Sequence, residues 1–172
     1  MFKDILGILM NSDETEQMPC SVQATKIRKD INDSVVRFLA RREHSRYELK
    51  VKLIKKDFDI EVIDDVLDEL EKQGLVSNER FAEAYSYHRK SRGFGPARII
   101  SELKERQVPE VLISGYVNSS ENDWFELAVK QREKKFGLER VSDFGQKAKQ
   151  MRFLQQKGFT HDQISYAMDK VG

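Results

Sequence analysis

The sequence has little of what a secreted, membrane-spanning or disulfide-bonded chain carries. It holds one cysteine in 172 residues, so no internal disulfide can form, and Cys20 lies in a polar stretch where a nucleophilic role is not indicated. No apolar run approaches the roughly 20 residues of a membrane span. The apolar start MFKDILGILM is interrupted by Asp4 and has neither a basic leader nor a small-residue cleavage site. We therefore predict a cytoplasmic chain with no membrane segment.

Three prolines leave few breaks, and 34% of the residues are charged, which favours a helix-rich chain with large solvated faces. The formal net charge is only +1, so the placement of the charges matters more than their total. Chain length allows one medium domain or several small units.

Apolar residues recur at helical spacing, and the pattern repeats three times. In the first copy, Val36, Leu39 and Ala40 mark a helix from about Asp33. Ser45-x-x-Glu48 predicts a capping box, and Asp59 can cap the helix that follows. The matching positions are Leu53, Phe58, Ile63 and Leu67, then Leu103, Val108, Ile113 and Val117 at an offset of 50, then Leu154, Phe159, Ile164 and Met168 at an offset of 101.

The same repeat decides the fold class. Each copy carries an apolar pair five residues apart at the start of its third helix, and Thr160-x-x-Gln163 adds a second capping box. Units this small bury little surface alone, so they should stack on their neighbours. We predict an all-α, elongated and curved array of three tandem three-helix repeats, over residues 31–76, 77–119 and 120–172, after an N-terminal helix and polar linker in residues 1–30.

A sharp basic hairpin, RKSRGFGPARIISEL, runs from Arg89 to Leu103. Its first helix should stop at Gly93, and the next should start on Gly95-Pro96, where proline has no N–H to leave unpaired. Phe94 and Ile99 have the spacing of an apolar clamp at a helix start. The Gly-Phe-Gly triplet lacks the preceding strand and the further glycine or Gly-Lys-Ser/Thr of a phosphate loop, which favours a structural turn.

Charge is segregated along the chain. Residues 37–56 hold eight bases and two acids, whereas residues 57–71 hold eight carboxylates and no Lys or Arg. In the second and third repeats the bases again fall mainly on the first two helices. Any single base is explained by a solvated helix face, but recurrence of the bias in all three repeats indicates an acidic partner. The predicted partner-binding residues are Arg41, Arg42, Arg46, Lys50, Arg89, Lys90, Arg92, Arg98, Asp64, Asp65 and Asp68.

Other site classes find less support. A third helix reading the DNA major groove is disfavoured because the first repeat's third helix carries carboxylates that phosphates would repel. Asp57-x-Asp59-x-Glu61 begins like a calcium loop but has Val62 where glycine is needed. The histidines His44, His88 and His161 occupy different repeat positions without metal-ligand neighbours. We predict a binding protein that is not an enzyme and has no metal or cofactor.

These segments resemble the RecX family of bacterial recombination regulators. The resemblance covers residues 33–171 and is carried by ARREHSRYEL, GLVSNERFAEAY and RKSRGFGPARIISEL, with a weaker match at RFLQQKGFTHDQI. Two departures stand out: Ser77-Asn78 replaces a more acidic pair, and Asp57 stands where the third repeat has Gly158.

The resemblance implies a protein that binds the filament of a RecA-type recombinase and modulates, usually inhibits, its ATPase and strand exchange. We expect the protein itself to be a monomer. An alternative from the residues themselves is a nonspecific binder of single-stranded nucleic acid that uses the basic hairpins, with Tyr85, Tyr87 and Phe94 as stacking groups. A plain helical scaffold that binds neither is a third class.

Overall fold

The computed structural model describes residues 20–117, 121–139 and 143–170, and the regular structure within them is entirely helical. The nine helices there are α1 (Cys20–Leu39), α2 (Arg46–Ile54), α3 (Ile60–Lys72), α4 (Asn78–Ser91), α5 (Pro96–Glu105), α6 (Glu110–Val117), α7 (Glu121–Phe136), α8 (Phe144–Lys157) and α9 (His161–Asp169). Every extensive helix–helix packing pair lies within α1–α3, α4–α6 or α7–α9, which we call units 1, 2 and 3. The predicted all-α class and the three tandem three-helix repeats are confirmed. No helix in these residues is both long and apolar enough to cross a bilayer.

Helix α1 differs from its prediction in start and in buried face. It begins at Cys20, thirteen residues before the expected start at Asp33, and most of the predicted N-terminal segment lies outside the described residues. Ile31 and Val35 are fully buried, whereas Val36, which was placed on the apolar stripe, is 54% exposed. The polar residues between 21 and 30 concealed this helix because they face solvent and give no apolar period.

Side-chain caps set most of the helix starts. Thr160 and Gln163 form the full capping box that was predicted for α9. Asp59 accepts from the backbone of Glu61 and Val62 at the start of α3. At α2 half of the predicted box forms: Ser45 Oγ accepts from the backbone N–H of Glu48, at 3.1 Å, while the Glu48 carboxylate accepts from arginines instead.

The repeat positions form three separate apolar cores. Leu53, Leu103 and Leu154 are each fully buried. The third-helix positions Ile63, Ile113 and Ile164 are no more than 5% exposed, and all six residues lie in the core of their own unit. The offsets of 50 and 101 in the sequence therefore correspond to equivalent places in the structure.

A left-handed residue ends the second helix of every unit. Asp57 has φ 62°, Gln107 has φ 54° and Gly158 has φ 91°, and the three occupy the same repeat position. Only glycine adopts this conformation without steric cost, and other residues lose about 1–2 kcal/mol there. The departure at Asp57 thus changes the strain of the turn while its geometry is retained.

Units 2 and 3 are joined through their backbones. The N–H of Gly95 donates to the carbonyl of Lys157 at 2.8 Å, and the N–H of Ala97 donates to the carbonyl of Gly158 at 3.0 Å. A Cβ on Gly95 would lie 2.4 Å from the backbone carbonyl of Gly158, so this approach requires glycine. Trp124 of α7 is buried in the core of unit 2 and donates to the carbonyl of Val117.

Units 1 and 2 are joined by polar side chains. Arg106 at the end of α5 contacts Glu48 at 3.2 Å, and Arg80 of α4 contacts Glu43 at 2.9 Å. Asn78 accepts from the backbone N–H of Arg46. Because the apolar cores of these two units are separate, ion pairs and hydrogen bonds hold this joint, whereas main-chain bonds and the insertion of Trp124 into the core of unit 2 hold the other.

Candidate functional site

The predicted basic and acidic surfaces of unit 1 face each other. Arg46 of α2 lies 3.5 Å from Asp64, 2.7 Å from Asp68 and 3.0 Å from Glu71, all on α3. Lys50 lies 2.6 Å from the other oxygen of Asp64. These side chains come together because α2 and α3 pack against each other and place one basic and one acidic stripe along the same edge. Four of the eleven predicted partner-binding residues therefore neutralise one another inside the unit.

The remaining predicted residues of unit 1 are more accessible. Asp65 is weakly paired, since its contact with Arg28 of α1 is 3.7 Å and its side chain is 72% exposed. Arg42 contacts Glu48 at 2.9 Å. Arg41 lies in the turn after α1, is exposed, and makes no ion pair with a described residue.

In unit 2 the basic hairpin is organised by Glu102 of α5. Its carboxylate accepts two bonds from Arg89, one from Arg98 at 3.0 Å and one from the Tyr85 hydroxyl at 3.0 Å. Burial alone would raise the pKa of the Glu102 carboxyl, but the hydrogen bonds from Arg89, Arg98 and Tyr85 outweigh it and lower that pKa. Tyr85, which was a candidate stacking group, is therefore half-buried, and its hydroxyl is held in this network.

Two further predicted residues flank the hairpin. Lys90 lies 3.1 Å from Asp123 and 4.6 Å from the ring centre of Trp124, so it also ties unit 2 to unit 3. Arg92 caps the end of α4, is exposed, and has no ion pair among the described residues. Of the eight predicted cations, only Arg41 and Arg92 thus lack an ion pair within the part of the chain that the structure describes.

A continuous set of cations and aromatic rings crosses the joint between units 2 and 3. We call it the joint stripe: Arg89, Phe94, Arg98, Lys135, Phe153 and Lys157. Around Phe94, Arg89 lies 3.8 Å from the ring centre, and Arg98 and Lys157 each lie 4.7 Å away. Around Phe153, Lys135 lies 4.3 Å from the ring centre and Lys157 lies 5.8 Å away.

Lys157 is the least compensated cation of the joint stripe. It is half-buried and makes no ion pair with a described residue. Burial lowers the pKa of its ammonium group, and the neighbouring positive charges of Arg98, Lys135, Lys134 and Arg89 lower it further. An ammonium group held among like charges is a place where an external anion is stabilising.

Unit 3 holds the functional candidates that the sequence analysis did not select. Its first two helices carry eight cations that make no ion pair with a described residue, and all of them except Arg132 are exposed or half-buried: Lys130, Lys134, Lys135, Lys147, Lys149, Arg152 and Lys157. Their signal was present in the sequence as a basic bias without a matching acidic segment, whereas the bases of unit 1 precede the run of eight carboxylates. A buried member of the same bias, Arg132, has a structural contact, since it donates to Gln150 at 2.7 Å and to the carbonyl of Glu139.

No group of three or more His, Cys, Asp or Glu side chains with the geometry of a metal site occurs in the described ranges. Of the three histidines, His44 is buried, and its Nδ1 lies 2.9 Å from the carbonyl oxygen of Arg42. Burial lowers the pKa of that imidazole, and the charge of Arg42 lowers it further. In the described ranges, the charged side chains that the fold brings together form ion pairs and cation–π contacts with each other, and not a metal-ligand group.

Comparison with known proteins identifies relatives of the whole three-unit region. Family models for the first, second and third three-helix domains of RecX match residues 33–70, 77–115 and 121–168. The chain is 39% identical to "Regulatory protein RecX" of Halorhodospira halophila over 137 residues, which is 80% of this chain and 85% of that protein. It is 35% identical to the protein of the same name from Vibrio campbellii, over 79% of this chain and 88% of that protein.

Solved structures show the same fold. A crystal structure of RecX from Lactobacillus salivarius superposes with a TM-score of 0.72, at 18% identity, over 86% of this chain and 97% of that chain. A second crystal structure, described as regulatory protein RecX, gives a TM-score of 0.75 at 20% identity, over 87% of this chain and 75% of that chain.

Proposed function

Since the chain belongs to the RecX family of regulatory proteins, we propose that it binds the filament of a RecA-type recombinase and inhibits its ATP hydrolysis and strand exchange. The observation that carries the proposal is the match of three successive RecX domain models to three successive units of the fold. The relatives, which match this chain over most of their length, are named regulatory proteins. That name supports action by binding and not by catalysis. The proposed partner places the protein in the cytoplasm.

The arrangement of the units suggests how a small protein could act on a filament. Three units in series can contact several filament subunits at once, and each added contact forms at high effective concentration once the first is made. The backbone joint between units 2 and 3 fixes their relative placement, because the bonds from Gly95 and Ala97 cannot rearrange without separating α5 from α8. A rigid insert shifts a filament between its states only by its differential affinity for them. We therefore propose that it acts as a wedge that prefers one filament state.

The surface proposed for the contact is cationic. Arg41 and Arg92 remain available in units 1 and 2, and the seven unpaired cations of unit 3 add the largest positive surface. The paired residues Arg46 and Lys50, with their carboxylate partners, are instead assigned to holding unit 1 together. Opposite charge on a partner would raise the rate of association and orient the two surfaces.

The test is DNA-dependent ATP hydrolysis and strand exchange by the recombinase of the same organism. Substoichiometric amounts of this protein are expected to slow both, because one bound molecule affects several filament subunits. The double variant Arg41→Gln, Arg92→Gln, which removes two exposed positive charges, should require more protein for the same effect. Unaltered hydrolysis and strand exchange at saturating protein would contradict the proposal.

The same preparation decides between filament binding and single-strand binding. If the cations bind phosphates directly, affinity for a bare oligonucleotide should match that for the filament and should fall with salt, with a log–log slope of about 0.7 per phosphate contact. Filament binding predicts weak binding to the bare strand and a strong effect on hydrolysis.

A further inference from the structure

We infer that the joint stripe is a docking site for an acidic segment of a protein partner, whose carboxylates are received by Lys135 and Lys157. The inference rests on the proposed function only in assigning that segment to the filament. The site itself is argued from the charges, the rings and the joint.

The positive charges of the joint stripe are not balanced by carboxylates among the described residues. Among the described residues, the only carboxylate that pairs with a cation of the joint stripe is that of Glu102, and its two oxygens already accept from Arg89, Arg98 and Tyr85. Lys135 and Lys157 have no carboxylate within ion-pair distance among the described residues. A half-buried ammonium group without a counter-ion is unfavourable, and a carboxylate from outside would form a charge-assisted hydrogen bond with it. The stripe is complementary to two or more closely spaced carboxylates.

The second step separates an acidic protein segment from a nucleic acid. Single-strand binders add open aromatic faces, on which bases stack, to a cationic groove. Here three cations already lie against the ring of Phe94, and two lie against Phe153. The backbone N–H groups at the start of α5, which could otherwise hold a phosphate, are taken by the carbonyls of Lys157 and Gly158. Neither a stacking platform nor a phosphate cradle is offered, so carboxylates are favoured.

The third step is the fixed geometry of the site. Lys157 is the last residue of α8, and its own carbonyl accepts the bond from Gly95 in the neighbouring unit. Arg98 donates to the carbonyl of Gln156 at 3.2 Å. The side chain of Arg98 and the backbone of Lys157 are therefore held in place before a partner arrives, which reduces the ordering cost of binding.

The experiment measures binding of a labelled peptide of ten glutamates to the full-length protein at low ionic strength. The double variant Lys135→Gln, Lys157→Gln is expected to bind about tenfold more weakly than the wild type, the combined effect of two partly exposed ion pairs. The matched control is Lys29→Gln, Lys72→Gln, which makes the same change in net charge at two exposed lysines of unit 1. The control should bind as the wild type does, and all three proteins should melt at the same temperature.

Three results would overturn the inference: no binding of the peptide by the wild type, equal weakening in both double variants, or tighter binding of an oligothymidylate of ten nucleotides that is lost in the Lys135/Lys157 variant. The last would assign the stripe to phosphates. Hydrolysis by the recombinase is recorded in parallel. If the wild type binds the peptide, the Lys135/Lys157 variant does not, and the wild type has no effect on hydrolysis, only the proposed function is refuted. Inhibition that survives in full in the Lys135/Lys157 variant would instead refute the assignment of the acidic segment to the filament.

Discussion

Replacing Gly95 by alanine should separate units 2 and 3 without unfolding either. The added Cβ would lie 2.4 Å from the carbonyl carbon and oxygen of Gly158 and 2.5 Å from the backbone nitrogen of Phe159. These are main-chain atoms that no side-chain rotation can move away. Relief requires α5 and α8 to part by about 1 Å, since ordinary contact begins near 3.4 Å.

The magnitude follows from the bonds that this movement breaks. A shift of about 1 Å takes the bond from Gly95 to Lys157 beyond hydrogen-bonding distance, and the bond from Ala97 to Gly158 goes with it. Two such bonds contribute about 2 kcal/mol net. The lower backbone freedom of alanine in the unfolded chain offsets about 0.5–1 kcal/mol of that loss. The net destabilisation is thus about 1–1.5 kcal/mol, or about 3–5 °C in Tm for a chain of this size.

The assay is thermal unfolding, with Gly115→Ala as the matched control. Gly115 lies in α6, has no positive φ, and has no atom within 4 Å of an added Cβ. Alanine there should stabilise the helix by about 1 kcal/mol, so the two identical changes are expected to have opposite signs. The same pair tests the wedge: Gly95→Ala should weaken inhibition of the recombinase about tenfold by loosening the array, and Gly115→Ala should not. If Gly95→Ala melts like the wild type, the backbone joint described above is wrong.

Two further predictions concern single residues. The pKa of His44 is lowered in the folded chain, so the unfolded chain takes up a proton at a higher pH than the folded chain does. The contribution of His44 to stability should be constant above about pH 7 and should fall as the pH drops from about 6.5 to the lowered pKa. Urea unfolding at several pH values should show this dependence, and a His44→Gln variant that retains it in full would contradict the assignment. Gln107→Gly should stabilise the protein by about 0.5–1 kcal/mol, because glycine adopts the left-handed conformation at φ 54° without steric cost, and a lower Tm than the wild type would argue against that strain.

The fold was readable from the sequence because three levels of pattern agreed. Helical spacing, capping residues and the offsets of 50 and 101 all indicated the same helix boundaries in α2, α3, α5 and α9. The sequence did not predict the start of α1 because the first turns of this helix are mostly polar and exposed and show no apolar periodicity. The helix is stabilised instead by the tertiary packing of Ile31 and Val35 in its C-terminal half. The contacts between units could not be predicted from the sequence either, since the only sequence feature of the backbone contact between Gly95 and Gly158 is the two glycines themselves.

The sequence could not show which of the predicted partner-binding residues pair with each other in the fold. Sequence shows where charge is placed along the chain but not which charges meet across it. Arg46 and Lys50 were selected because they stand in a basic run, yet the fold turns that run toward the carboxylates of α3. Lys157 was only counted, although it ends up half-buried beside two aromatic rings from different units. The net charge of a sequence window therefore overstates the exposed positive charge of unit 1, where an acidic segment follows the basic one. It understates the exposed positive charge of unit 3, where no such segment follows.

The ion pairs within unit 1 also affect how mutations in its acidic helix, α3, can be interpreted. Its carboxylates would require an external basic partner only if they were unpaired, but Asp64 and Asp68 are taken up by α2 and Asp65 and Glu69 contact Arg28 of α1. Reversal of Asp64, Asp65 and Asp68 to lysine would place new cations against Arg46 and Lys50, so a loss of filament binding would follow from a weakened unit 1 even if α3 never touched the partner. The seven unit 3 cations named above have no ion-pair partner among the described residues. For that reason we propose the contact there.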